Sequence, residues 1–417
     1  MKLFLSRLFV FPWYPIAIGS YPVLALLSAN AGQVRPVEGL RSLLFALIFG
    51  ASLILLAWAL YREIHKASFL AAIGIVLFFS YGHAYMAILE EFPEAGYEAW
   101  IAPAWLVLFG IAWFWASRQA LTFRSAVPSL NTEGLALVVM ASWGLLSNGI
   151  PRSVHALGAD HAPVQTDLSL PENPPDIYYF VLDSYGRADL LDLVYGHNNS
   201  GFLESLTARG FFVAECSQSN YTRTELSMAS SLNMMYLQDL DDEFEPQSIA
   251  RRTLWRSLKH GAVRYNLESL GYQTVSFPTG YPWGELEDAD LFLMPPPISS
   301  GLNEFEALLM RTTALRLLQD WGIVDPEAIL AQRSRDLFQN VFDHLPQVAG
   351  LPGPQFVYVH IIPPHPPFVF DAQGNPTYPP DFWNERRKYP YDLYAKGYID
   401  QTIYLNSRML EAVDAIL

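Results

Sequence analysis

The sequence predicts an α-helical membrane domain of about five transmembrane helices followed by an α/β/α domain. Three observations carry this. Apolar stretches of bilayer-spanning length recur before residue 152, most of the charge falls after it, and apolar strand-like runs there alternate with helical periods. A bilayer core takes about 20 apolar residues per helix, and the spans read as 9–31, 40–61, 67–89, 99–117 and 134–151. The stretches LLFALIFGASLILLAWAL and IAPAWLVLFGIAWFWA, within the second and fourth, are unambiguous and carry no charge. Pro12, Pro15 and Pro22 predict a kink in the first, tolerable where neighbours satisfy the freed carbonyls. That stretch reads as a span and not as a cleavable signal peptide, because no small-residue cleavage pattern accompanies it and more spans follow. His83, inside the third span, reads as a structural histidine bonded to a carbonyl.

Orientation follows from the basic residues of the short connections, which are retained on the cytoplasmic side. Lys2, Arg7, Arg62, Lys66, Arg118 and Arg124 form one alternating set. Arg35, Arg41 and Arg152, with Glu90, Glu91, Glu94 and Glu98, form the other. With the first set inside, an odd number of spans delivers everything after residue 152 to the outside. The expected location is a cell membrane, crossed several times, with an extracytoplasmic C-terminal domain.

Residues 1–152 hold nine Lys and Arg, seven Glu and no Asp, so nearly all of the net charge of −15 lies in the second part. Such a domain repels nucleic-acid phosphates, and nucleic acid is excluded as a partner. Cys216 is the only cysteine, which rules out an intramolecular disulfide and a cysteine-based zinc cluster.

Residues 153–175 lack a sustained apolar period and end in prolines, as a linker does. From residue 176 the runs DIYYFVLD, FFVAEC, YQTVSF and QFVYVHII alternate with RADLLDLVYG, LSMASSLNMMYL, VRYNLESLG and SRDLFQNVFDHL. That order predicts a largely parallel sheet covered on both faces, with ligands bound outside the carboxyl ends of its strands. Asp183 closes the first strand. Thr222 and Thr224 stand immediately before a helix, where a hydroxyl and the free N–H groups can face an anion. His360 and His365 follow the last strand in a proline-stiffened loop. Each feature also has an ordinary structural explanation, a turn, an N-cap or a packed imidazole.

Together these segments resemble the alkaline phosphatase and sulfatase superfamily, in particular its membrane-anchored branch of lipoteichoic acid synthases and phosphoethanolamine transferases. The resemblance implies an alkaline-phosphatase-like (sulfatase-like) fold over 176–417. It also implies a metal-dependent transferase or hydrolase of phosphate esters acting on a lipid or envelope glycopolymer substrate. Asp183 matches the acidic metal ligand that ends the first strand, followed by Arg187-Ala188-Asp189. Thr222-Arg223-Thr224-Glu225-Leu226-Ser227 matches a T-x-T-x-x-S pattern with the nucleophile at Thr224. His360 and His365-Pro366-Pro367 match an H-x-x-x-x-H-x-P pattern, whose histidines, with Arg187, would bind substrate. Asp183 and Thr224 would hold a divalent metal, zinc, manganese or magnesium.

Two departures qualify these expectations. The formylglycine motif C-x-P-S-R is absent, since Cys216 lies too early and lacks the Pro and Arg. The family's adjacent Asp-His pair does not occur after His365, so the domain is expected to be truncated at its C-terminus and its metal site incomplete. The helical spacing of Leu405, Met409, Val413 and Leu417 then predicts an apolar face left half uncovered. Two alternatives stay open, a non-catalytic envelope protein that binds a ligand or partner, and a sulfuric ester hydrolase.

Overall fold

The computed structural model of the 417-residue chain describes residues 11–31, 34–92, 98–118, 123–149, 168–241, 244, 251–295, 301–378 and 390–417. It divides into two compact units. Met1–Arg152 groups with Leu302–Pro326, and Ser153–Gly301 groups with Glu327–Leu417.

The first unit is built on α1 (Tyr14–Ala29), α2 (Leu40–Tyr61), α3 (Ile64–Glu91), α4 (Glu98–Arg118) and α5 (Val127–Gly149). Four helices, α2 to α5, are long and apolar enough to cross a membrane. Their outer faces carry exposed Leu44, Ile48, Leu55, Leu106, Ile111, Val139, Met140 and Trp143. Apolar surface turned outward on this scale suits a hydrocarbon solvent, not water. The fifth helix, α1, has 16 described residues, about 24 Å of rise against a hydrocarbon core of about 30 Å. It packs against α5, α2 and α3, with Tyr14, Ala17, Val23 and Leu27 buried. Pro12 precedes it and Pro15 falls in its first turn, where a missing N–H costs nothing, so only Pro22 lies within the helix. Asn131 of α5, fully buried, accepts from the Tyr14 N–H and donates to Phe11 O. α5 begins seven residues earlier than its apolar pattern indicates, and His83 is exposed on α3 instead of buried against a carbonyl.

The second unit opens with β1 (Ile177–Leu182), α6 (Ala188–Tyr195), α7 (Ser200–Ala208), α8 (Thr224–Asn233), α9 (Arg251–Lys259), α10 (Ala262–Ser269), β2 (Gln273–Ser276) and β3 (Leu291–Phe292). The chain then leaves it for α11 (Glu304–Thr312) and α12 (Arg316–Asp320), which group with the helical bundle. It returns through α13 (Pro326–Val348), β4 (Gln355–Ile361) and α14 (Tyr391–Ile416).

The four strands form a parallel sheet in the order β1-β4-β2-β3. Side chains of β4 alternate between its faces, as the strand period requires. Val357, Val359 and Ile361 join Phe338, Phe342 and Leu345 of α13 and Leu405, Met409 and Ala412 of α14. Phe356 and Tyr358 join Met228, Ala229 and Leu232 of α8 and Leu254 and Leu258 of α9. An α/β/α sandwich results.

Three expectations are corrected. FFVAEC forms no strand: residues 211–214 have no regular structure, and Phe212 is 91% exposed. Aromatic residues favour a strand where a neighbouring strand pairs with them, and among the described residues this run pairs with none. The α14 face is covered, since Leu405, Met409 and Val413 are buried and only Leu417 stays exposed. The reason is that the sheet and α13 already pack beneath it. Finally, Leu302–Pro326 groups with the helical bundle, although the sequence reading assigned all of 176–417 to one domain.

Candidate functional site

β1 and β4 run parallel and in register, Val181 beside His360 and Leu182 beside Ile361. The next residue, Asp183, donates its N–H to Ile361 O at 2.9 Å, so its side chain starts at the carboxyl edge of the sheet. The turn that follows holds Ser184 at φ 60°, a left-handed conformation disfavoured for a residue with a Cβ. Tyr398 of α14 fixes that turn. Its hydroxyl donates to Ser184 O at 2.8 Å and accepts from the Gly186 N–H at 3.0 Å. Burial pushes the Tyr398 hydroxyl up to about 12, so it remains a donor at neutral pH.

Thr224 is the first residue of α8, and the preceding Arg223 supplies no capping side chain. The Thr224 hydroxyl donates to Asp183 Oδ1 at 2.8 Å. Thr222 is exposed; of the two threonines, the fold brings Thr224 to the carboxylate. One turn along the helix, Ser227 Oγ lies 3.1 Å from Ser219 Oγ and donates to Asn220 Oδ1.

His360 Nε2 stands 3.8 Å from Asp183 Oδ2. The imidazole is buried, and neither ring nitrogen has a hydrogen-bond partner among the described residues. Buried polar atoms rarely stay unmet, so this ring marks a place where a further polar group fits. It sits against the Trp283 ring, centroids 5.9 Å apart, and against Gly284, where an added Cβ would come 3.4 Å from Nδ1. Burial raises the Asp183 carboxyl, but His360, the Thr224 hydrogen bond and the nearby His365 outweigh it and hold the carboxyl below the usual range. Asp183 is therefore an anion at neutral pH.

His365 lies beside this pair. Its N–H donates to Asp183 O at 3.1 Å, and its Nδ1 is 2.6 Å from Pro366 O. A carbonyl can only accept, so Nδ1 carries the proton and Nε2 is left for other contacts. Gln401 braces the loop through the Val369 N–H and His365 O. Arg187 turns elsewhere. Its Nε and Nη2 donate to Asp189 at 2.6 and 2.8 Å, and Nη1 donates to Ser217 O at 2.9 Å.

No family model, curated protein or solved structure matches this chain. The reading of the site therefore rests on its geometry. The oxygens of Asp183 and Thr224, 2.8 Å apart, are donors of the type that zinc, manganese and magnesium accept. Among the described residues no group of three or more His, Cys, Asp or Glu side chains converges.

The sequence had no signal for Tyr398, Gln401 or Trp283, because each acts on a residue far away in the chain. Only the spacing of Tyr398 and Gln401, three apart on one helix, could have marked a shared face.

Proposed function

We propose that the chain is a membrane-anchored phosphoryl-ester transferase or hydrolase of the sulfatase-like superfamily, acting on lipid or cell-envelope substrates. The observation that carries this is the Thr224 hydroxyl, held at the start of a helix and 2.8 Å from the Asp183 carboxylate. A helix N-terminus favours an incoming phosphate, and a hydroxyl bonded to a carboxylate is oriented for attack. Thr224 Oγ attacks phosphorus, the new P–O bond forms, and the bond to the departing alkoxide breaks, with the alkoxide taking up the proton that Thr224 loses. Water or an acceptor hydroxyl then attacks the phosphothreonine, and Thr224 regains its proton. His365 and His360 hold the phosphoryl group or donor head group. Arg187, tied to Asp189, supports the loop around Ser217 and could reach substrate only by giving up those bonds. A divalent metal held by Asp183 and Thr224 would lower the hydroxyl pKa and neutralise phosphate charge.

α1 is included as a fifth span, which places the α/β unit outside the cytoplasm, where lipid donors and envelope acceptors meet. The test is incubation with a phospholipid donor followed by mass spectrometry. A phosphorylated Thr224 supports the reading, and an adduct on another residue rejects it.

A further inference from the structure

The α/β unit sends one part of its chain into the other unit. After β3 the chain crosses to Leu302–Pro326 and returns in α13. The insert is packed against the bundle as a core is, not as a surface loop. Phe305 is fully buried and Leu309 is 5% exposed, in one cluster with Val23 and Leu27 of α1, Ala46 of α2 and Ile75 and Phe79 of α3. Ala314 and Leu317 pack on Tyr81, Tyr85 and Ile101.

Two contacts show that the bundle is shaped for this insert. At Gly82 of α3 an added Cβ would come 2.2 Å from Arg311 O and 2.3 Å from Thr312 C. Backbone cannot yield as a flexible side chain can, so only glycine admits the insert there. One turn earlier, Phe78 O accepts the Ala314 N–H at 2.9 Å, a main-chain hydrogen bond from the insert to a spanning helix. The entry is pinned as well. Asn303 and Glu306 form a capping box, Arg41 donates to Glu306 at 2.6 Å, and Asn303 Nδ2 donates to Glu38 O at 3.0 Å. Arg316 lies 3.9 Å over the Tyr85 ring.

We propose that Leu302–Pro326 is a non-covalent membrane anchor: a plug carried by the α/β unit that holds it to the bundle independently of the chain that links them. The proposal uses the membrane reading of the helices and nothing of the chemistry at Thr224.

The test cuts that link. A protease site is inserted after Gly158 in the full-length chain, opened membranes are cleaved and washed in high salt, and the fragment that follows the cut is assayed in the pellet. The fragment is expected to stay with the membranes in the otherwise unchanged protein. Gly82→Leu should release at least tenfold more of it, and so should Phe305→Ser combined with Leu309→Ser. Because a misfolded bundle would also lose the fragment, the second variant carries the decision, with unchanged yield of the 1–158 piece as the fold check. Release of the unsubstituted fragment on cleavage overturns the proposal. Equal retention in the Phe305→Ser, Leu309→Ser variant overturns it too, since another surface would then be holding the unit.

Discussion

The Thr224 hydroxyl donates to Asp183 Oδ1 at 2.8 Å across a separation of 41 residues. One partner ends a strand and the other begins a helix, so the contact exists only because the sheet brings both to one edge. Replacing Thr224 with Ala removes the proposed nucleophile and leaves the carboxylate one partner short. Turnover of a phospholipid donor is expected to fall by about a thousandfold or more, while stability falls by only about 2 kcal/mol. A folded Thr224→Ala protein with undiminished turnover would reject the assignment.

Two converging oxygens make a weak cation site, because tetrahedral zinc takes four ligands. Held by those two oxygens alone, zinc or manganese is expected to be lost on dialysis. Elemental analysis checks this. A full equivalent of retained metal would mean that other residues complete the shell.

Tyr398 holds the turn after Asp183 through two hydrogen bonds. Tyr398→Phe keeps the ring and removes both. Stability should drop by about 2 kcal/mol, and the amides of residues 183–187 should exchange with solvent faster. Unchanged exchange there would show that the turn needs no such support.

Arg264, 8% exposed at its side chain, pairs with Glu268 of its own helix α10 at 2.6 Å and with Asp288 of the β2–β3 connection at 2.8 Å. Burial raises the Asp288 carboxyl, but Arg264 outweighs it and holds the carboxyl below its usual value. A carboxyl depressed in the folded state adds stability at neutral pH, and this is lost as pH falls through its folded value, below about 4. Arg264→Met should cost about 2 kcal/mol at pH 7. Denaturant melts at pH 7 and pH 3 should show that gap narrowing; a constant gap would mean that packing of the arginine stem dominates.

Loop charges predict the topology. Reporter fusions at residue 66 are expected to be active only inside the cytoplasm and those at residue 160 only outside. A cytoplasmic reporter active at residue 160 would reduce α1 to a non-spanning helix and remove the extracytoplasmic reading.

The sequence by itself determined the features that depend on local pattern. The uncharged runs in α2 and α4 announce helices that belong in lipid, because a long apolar segment without charges has no other favourable solvent. The β-branched and aromatic residues of β1 and β4 announce parallel strands, half-buried in β1 and buried in β4, and those strands carry Asp183 and His360 to one edge. Helical spacing announced α14, but not that its apolar face is covered by α13 and the sheet. FFVAEC had the composition of a strand and lacked a neighbour to pair with. Between Thr222 and Thr224, sequence spacing offered a preference, and the tertiary structure decided which one reaches Asp183. The same holds for Arg187, whose guanidinium finds Asp189, and for Leu302–Pro326, whose destination is written in Gly82 of another helix. Local propensity acts over one or two turns of chain, whereas a glycine notch, a buried imidazole beside a carboxylate or a tyrosine bracing a distant turn is a relation between surfaces that meet only after the chain has folded.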